Sequence, residues 1–159
     1  MGTQPTGIAV SLDGLLTYVT NLGPSNISVI DTTTNTVIET FATSPNPNWA
    51  AFHPVRDESW IGVNGIGTVL EARSTVDHSL VATALGTIPY GSTGIVFRPD
   101  GNRAMGSESC GCCGRFHRIN GNHVGGNISI NQQDILFDNT GSATGLAIHP
   151  TTGVFYLGK

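Results

Sequence analysis

The stretch "PTGIAVSLDG" (residues 5–14) decides the fold, because its pattern returns three more times along the chain. The echoes are "PNWAAFHPVRD" from Pro47, "GSTGIVFRPDG" from Gly91 and "SATGLAIHPTTG" from Ser142. Each copy joins a short apolar run to a turn, and successive copies lie roughly 40–50 residues apart, a period typical of propeller blades. The repeat therefore predicts an all-β fold.

Each apolar run, such as Ile8-Ala9-Val10, predicts the innermost strand of a blade, covered on both faces by neighbouring blades. Turn pairs such as Asp13-Gly14 and Asp100-Gly101 predict tight hairpins that lead into a second strand. Two further strands complete a blade of four antiparallel strands. The predicted units are blades at approximately residues 5–46, 47–90 and 91–141, followed by a half blade at 142–159.

Three and a half blades make an incomplete ring. Propellers close with about four to eight blades, because only a ring removes the exposed faces at its two ends. We therefore expect further blades, or another chain, to complete the ring.

The segment "YVTNLGPSNISVIDTTTNTVIETF" (residues 18–41) closely resembles the YVTN-family β-propeller repeat. The second blade keeps the skeleton of this repeat with "WIGVN" (residues 60–64). The resemblance implies a portion of a seven-bladed propeller. It also implies an extracellular, cell-surface or periplasmic location.

Composition excludes several function classes. Lys and Arg number 7 against 11 Asp and Glu, so the net charge is -4 and no basic face is available for nucleic acid. No apolar run approaches the roughly 18 residues of a membrane-spanning helix, so we expect no membrane insertion.

Antiparallel strands gather the connections between blades and the connections after each second strand at one end, here called the loop face. Ligand-binding residues on rigid scaffolds concentrate in such loops. The candidate ligand-binding residues are Tyr90, Arg115, Asn21 and Asn64. The opposite end, here called the turn face, carries Ser11, His53, Arg98 and His149 at equivalent repeat positions, which predicts a structural role shared by the repeats.

All three cysteines, Cys110, Cys112 and Cys113, lie in one loop, with His117 four residues after the last. A disulfide is the favoured interpretation, because the expected compartment is oxidising, although three thiols leave one over. A second interpretation is a metal site, since three thiolates and one imidazole suit zinc and soft thiolates hold Cu(I). A third is a low-pKa thiol assisted by Arg115.

Three functions remain open from the sequence. The preferred hypothesis is a non-enzymatic binding or surface-interaction module that presents its loop face to protein or glycan and needs no cofactor. The first alternative is a metal- or quinone-dependent redox enzyme or a lactonase-like propeller, implied by similarity to propellers of those classes and using the cysteine loop. The second is a structural subunit of a surface layer or filament.

Overall fold

The computed structural model describes residues 2–64, 67–85, 92–109, 114–131 and 145–158. Within these ranges all regular elements are β-strands, and no helix is present. The strands are β1 (Pro5–Val10), β2 (Leu16–Asn21), β3 (Asn26–Asp31), β4 (Thr36–Ala42), β5 (Pro47–Phe52), β6 (Glu58–Val63), β7 (Thr68–Ser74), β8 (Leu80–Leu85), β9 (Ser92–Phe97), β10 (Arg103–Ser109), β11 (Gly114–Val124), β12 (Asn127–Asn131), β13 (Gly145–Ile148) and β14 (Phe155–Gly158).

The strands pair antiparallel in chain order, four at a time. β1 to β4 form one such unit, β5 to β8 a second and β9 to β12 a third, while β13 pairs with β14. The prediction of an all-β propeller portion with blades of four antiparallel strands is confirmed. The units are called blades 1, 2, 3 and 4 below. The predicted blade limits at 90 and 141 fall outside the described residues.

The first strands of the blades lie side by side. β1 contacts β5, β5 contacts β9, and β9 contacts β13, so the four echoed segments of the sequence are neighbours in space. Within this chain β1 has a neighbouring blade on one face only. Ile8 is 70% exposed and Val10 57% exposed, because β5 covers only one face of this strand.

The same backbone hydrogen bond closes the turn after the first strand of every blade. The glycine in this turn of blade 3, Gly101, has a φ of 69°. A Cβ at Gly101 would also stand 2.5 Å from the ring of His53, so this turn requires glycine for two reasons. In every blade the residue after the first strand donates its backbone N–H to the start of the second strand at 2.8–2.9 Å: Ser11 to Leu16, His53 to Glu58, Arg98 to Arg103 and His149 to Val154.

Two apolar clusters hold neighbouring blades together. Tyr18, Ile27 and Val29 of blade 1 pack against Ile61 and Val63 of blade 2. The second cluster joins blades 2 and 3 around two tryptophans and includes Trp49, Trp60, Leu70, Ile95, Phe97 and Ile119. The core therefore lies between the blades as well as within them.

Trp49 fits into this packing because its cross-strand neighbour is a glycine. A Cβ at Gly62 would overlap the Trp49 indole. The two positions pair directly in the β5–β6 register. Trp49 stands where the other three repeats have glycine, and the bulk it adds is compensated on the adjacent strand.

Blades 2 and 3 also meet at their outer edges. The last strands, β8 and β12, pair in parallel, with Thr83 N–H donating to Gly126 O at 2.9 Å. This contact accompanies a register shift in the β11–β12 pair between Ile119 and His123. The irregular part of β11 therefore lies against blade 2, where His123 contacts Glu58.

Candidate functional site

Asn21 was predicted to bind ligand, and the structure places its side chain in a buried corner of blade 1. Its Nδ2 donates to Asn26 Oδ1 and to Ser28 Oγ, each at 2.9 Å. These bonds tie the end of β2 to the start of β3. Asn21 therefore shapes the β2–β3 loop from inside.

Asn64 was the second predicted ligand-binding asparagine, and it is exposed on the loop face. Its backbone N–H donates to Asn46 O at 3.0 Å, and Asn46 Nδ2 donates to Asn64 O at 3.3 Å. The backbone of Asn64 is thus fixed while its side chain faces solvent, which leaves the amide available to a ligand.

The remaining predicted loop residues are less fully described. Tyr90, Cys110, Cys112 and Cys113 lie outside the described residues, and of Arg115 the structure describes only the backbone, which pairs with Glu108. His117 is buried in β11, opposite Gly106 of β10. The disulfide, metal and reactive-thiol interpretations all stay predictions. No group of three or more His, Cys, Asp or Glu residues within the described ranges is arranged to hold a metal ion.

Hydrogen bonds between blades stiffen the described part of the loop face. Thr6 Oγ1 donates to Pro47 O at 3.0 Å and lies 3.0 Å from Thr20 Oγ1. The backbone of Thr43 donates to Ser25 O at 3.0 Å. The connection from blade 1 to blade 2 is therefore held against the β2–β3 loop, so this part of the surface is fixed before any ligand arrives.

On the turn face, His53 links blade 2 to blade 3. Its ring is almost fully buried, and Nε2 lies 3.2 Å from Gly101 O and 3.1 Å from Gly121 O. Burial, followed by the nearby positive charge of Arg56, lowers the pKa of His53. The neutral ring therefore acts as a polar bridge between two carbonyls.

The equivalent His149 has a different environment. It is exposed, and its Nδ1 accepts the backbone N–H groups of Thr151 and Thr152 at 3.3 and 3.2 Å. The ring stabilises its own turn, and among the described residues it bridges no pair of carbonyls as His53 does. The two histidines thus occupy equivalent positions in the repeat but have different hydrogen-bond partners.

A cluster of four side chains joins blades 2 and 3, and it is called the Glu58 cluster: Arg56, Glu58, Trp60 and His123. Glu58 Oε1 lies 3.1 Å from Arg56 Nε and 2.9 Å from His123 Nε2, and Trp60 Nε1 donates to Oε2 at 3.0 Å. The Glu58 side chain is 9% exposed. Two hydrogen bonds, one from Trp60 of blade 2 and one from His123 of blade 3, therefore converge on one buried acid, and Arg56 adds a positive charge beside it.

The charge state of Glu58 follows from these contacts. Burial is the largest influence and acts to raise its pKa, but hydrogen bonds from Trp60 and His123 and the charge of Arg56 together outweigh it and leave the pKa below its usual value. Arg56 extends the cluster by donating to Asn122 Oδ1 at 3.0 Å and to Gly121 O. Glu58 is thus a stable anion that fixes the irregular part of β11.

A second cluster joins blades 1 and 2, and it is called the Tyr18 cluster: Tyr18, Glu39, Phe41 and His78. Tyr18 Oη lies 3.2 Å from His78 Nδ1, and His78 Nε2 lies 3.3 Å from Glu39 Oε2. The imidazole stacks on Phe41 with ring centroids 4.3 Å apart. Burial, and then the negative charge of Glu39, raises the pKa of Tyr18 to about 12, so the phenol stays protonated.

Sequence reasoning missed both clusters. The partners are distant in the chain, 65 residues apart for Glu58 and His123 and 60 for Tyr18 and His78, so no local spacing reveals them. The only available signal was the repeat itself, since Tyr18 and Trp60 occupy equivalent positions in β2 and β6 and both carry a polar group on an aromatic ring.

The described residues line two open cavities. One, of about 320 Å³, lies on the turn face between blades 1 and 2 and is lined by Ser11, Leu12, Asp13, Leu16, Phe52, His53, Arg56, Asp57 and Thr75. The other, of about 290 Å³, lies on blade 3 and is lined by Asn102, Arg103, Arg118, Ile119 and Asn120. The first combines an apolar floor with charges of both signs, whereas the second is predominantly polar and cationic.

Comparison with known proteins identifies the class of fold. No protein-family model matches the chain, and no curated protein matches it. Solved structures do match: hydrazine synthase of Kuenenia stuttgartiensis has a TM-score of 0.74 at 16% identity, covering 91% of this chain and 40% of that chain. A chain of the Mitotic Checkpoint Complex has a TM-score of 0.76 at 13% identity, covering 97% and 47% respectively.

A third solved structure, a candidate 6-phosphogluconolactonase from Bacteroides uniformis, has a TM-score of 0.71 at 17% identity, covering 96% of this chain and 46% of that chain. The chain therefore spans less than half the length of these structures. Likeness at such low identity establishes the fold alone, and it agrees with the strand order in making the chain a portion of a β-propeller. Among the described residues, no helix is long and apolar enough to span a bilayer.

Proposed function

We propose that the chain forms a rigid section of a propeller that acts as a non-enzymatic binding module outside the cytoplasm, with protein or glycan held at the loop face. The resemblance of residues 18–41 to the YVTN repeat supports the location. The observation that carries the proposal is the set of hydrogen bonds that fixes the connection from blade 1 to blade 2 against the β2–β3 loop. A surface that is ordered in advance loses little conformational entropy on binding.

The use of the buried ionisable residues supports binding rather than catalysis. Glu58 and His123 join blades 2 and 3, and Tyr18 and His78 join blades 1 and 2. Glu71, also buried, accepts the Ser44 N–H at 2.9 Å and pairs with Arg73 at 2.9 Å. These groups are committed to holding blades in register, which is the requirement for a stiff scaffold.

Likeness to a chain of the Mitotic Checkpoint Complex, itself an assembly of proteins, supports a protein ligand. Likeness to hydrazine synthase and to a candidate lactonase favours the enzymatic alternative, in which Cys110, Cys112, Cys113 and His117 hold zinc or copper. The two proposals make opposite predictions about the metal content of the purified chain.

The binding proposal is tested with fluorescently labelled chain on a printed glycan array and a tiled peptide array. We expect selective binding that Tyr90→Ala weakens by about tenfold, because aromatic residues on ligand-facing loops supply large contact areas. Tyr156→Ala is the matched control, since Tyr156 is an exposed tyrosine on β14, away from the loop face.

Circular dichroism verifies that both variants fold. Absence of selective binding by the natural chain would overturn the proposal. Equal loss of binding in the Tyr90 and Tyr156 variants would overturn it as well, because the ligand would then not depend on the loop face.

A further inference from the structure

One cavity of the turn face lies between blades 1 and 2 and is walled by residues of both. Its volume is about 320 Å³, and its lining lies within residues 11–16 of blade 1 and residues 52–57 of blade 2, with Thr75. All four strands of both blades are described, as are the two turns that bound the cavity. Pockets for drug-sized ligands measure about 300–1,000 Å³, so this cavity suits a single side chain or a group of that size.

The floor of the cavity is apolar. Leu16 of β2 and Phe52 of β5 pack on the apolar cluster that joins blades 1 and 2, and both also line the cavity. Long basic side chains have an aliphatic stem that packs on such a surface while the charged end stays in water. The floor therefore suits the stem of a lysine or arginine better than a fully polar ligand.

Two carboxylates, those of Asp13 and Asp57, are part of the lining, and both residues are exposed. Asp13 is held in place because its Oδ1 accepts the Ser11 hydroxyl at 2.6 Å and the Leu15 N–H at 3.0 Å. These hydrogen bonds hold the pKa of Asp13 below its usual value, so the group is an anion at neutral pH. The opening of the cavity is therefore acidic.

The basic residues of the lining direct their polar groups to other partners. Arg56 Nε lies 3.1 Å from Glu58 Oε1, and the same guanidinium donates to Asn122 Oδ1 at 3.0 Å. Burial, and then the charge of Arg56, lowers the pKa of His53, so this ring is neutral at neutral pH. Because Glu58 balances Arg56, the two aspartates of the lining give the cavity a negative potential, which attracts a cation.

The surface around the cavity favours a protein over a free amine. Val55 and Val76 each adjoin a lining residue in the sequence and are 64% and 81% exposed. Both belong to blade 2, which has a neighbouring blade on each side, so their exposure is a property of the turns themselves. A partner lying across these turns would bury both side chains, whereas a free amine would leave them in water.

We propose that the cavity receives a lysine or arginine side chain of a partner protein. Its aliphatic stem packs on the apolar floor and its cationic end pairs with Asp13 and Asp57, while the partner covers the neighbouring turns of blade 2. The inference goes beyond the proposed function, because it concerns the turn face and is independent of any ligand at the loop face.

The test is an NMR titration of the isotope-labelled chain with the peptide acetyl-Gly-Leu-Lys-Leu-Gly-amide, in which leucines flank one lysine. A second peptide has norleucine in place of the lysine, which keeps the stem and removes the charge. The third probe is n-butylamine, which is the lysine side chain without its peptide. Shifts of individual amide signals locate each binding site, and their concentration dependence gives each dissociation constant.

The double variant Asp13→Asn/Asp57→Asn removes both charges and keeps the size of the side chains. Asp31→Asn/Asp77→Asn is the matched control, because it changes the net charge by the same amount. Both control aspartates accept a backbone N–H in turns of the same two blades but lie outside the described lining of the cavity. Circular dichroism verifies that both variants fold.

We expect the lysine peptide to shift the amide signals of residues 11–16 and 52–57 and to bind more tightly than n-butylamine. The norleucine peptide should bind the natural chain about fivefold or more weakly, and the lysine peptide should bind Asp13→Asn/Asp57→Asn with a similar loss, because each change removes the charge pairing. The control variant should bind the lysine peptide within about twofold of the natural chain, since solvent and salt screen charges outside the cavity.

Equal binding of the lysine and norleucine peptides would overturn the proposal, as would equal binding of the lysine peptide by the natural chain and Asp13→Asn/Asp57→Asn. Absence of binding by the lysine peptide, or shifts confined to the loop face, would overturn it too. If n-butylamine binds as tightly as the lysine peptide or more tightly, the occupant is a free amine, and that result also contradicts the proposal.

Discussion

Replacing Glu58 by glutamine tests whether the Glu58 cluster holds blades 2 and 3 together. Glutamine keeps the shape of the side chain and an oxygen for the Trp60 N–H, but it removes the charge that Arg56 and His123 contact at 3.1 and 2.9 Å. The site is 7% exposed, so solvent screens these interactions little. Glu58 therefore has a larger expected contribution than a surface carboxylate.

The magnitude follows from the number of charged contacts. A hydrogen bond to a charged group contributes about 1.5–3 kcal/mol, and some of that remains when glutamine accepts from Trp60. We expect Glu58→Gln to lower the free energy of unfolding by about 2–3 kcal/mol, or the melting temperature by about 4–12 °C for a chain of this size. Glu39→Gln is the matched control, because Glu39 also contacts a histidine but its side chain is 55% exposed.

Tryptophan fluorescence reports on the cluster, since Trp60 lies inside it. Urea unfolding followed by this signal gives the free energy of unfolding, and thermal unfolding gives the melting temperature. The double variant Glu58→Gln/His123→Gln completes a cycle, and we expect a coupling energy of about 0.5–3 kcal/mol between the two sites. A loss in Glu58→Gln no larger than in Glu39→Gln would refute the reasoning. So would strictly additive losses in the double variant, because the two blades would then not be joined through this contact.

Three further predictions concern the turn face, acid and the cysteine loop. Gly121→Ala should destabilise the chain by about 2–4 kcal/mol, because its Cβ would overlap Gly101 O and stand 2.8 Å from Asn102 C. Gly94→Ala should cost under about 1 kcal/mol in the same urea assay, because among the described residues the new Cβ would approach only Ser107 Oγ, at 3.7 Å. The pKa of Glu58 is lowered in the folded chain, so its contribution to stability is full above the unfolded value of 4.5 and is lost as the pH falls through the folded value. The difference in the free energy of unfolding between the natural chain and Glu58→Gln should therefore shrink as the pH falls below 4.5, and a constant difference would contradict this prediction. Thiol counting under denaturing conditions should find one free thiol and elemental analysis no stoichiometric metal, whereas metal that disappears in Cys112→Ser would favour the enzymatic alternative.

The sequence by itself determined the blade architecture. The recurring segments that begin at Pro5, Pro47, Gly91 and Ser142 became the first strands or led into them, and turns such as Asp100-Gly101 closed the hairpins as predicted. These features are local, since strand periodicity and turn chemistry act over a few residues and repeat with the chain. Local rules could therefore identify each blade without knowing its neighbours.

Only the tertiary structure decided which polar residues join the blades. Glu58 meets His123 across 65 positions, and Asn21, which sequence reasoning placed among the ligand-binding residues, has its side-chain amide buried against Asn26 and Ser28. Such pairings depend on how neighbouring blades bring together side chains that are far apart in the sequence. Neither the spacing of residues nor composition encodes those contacts.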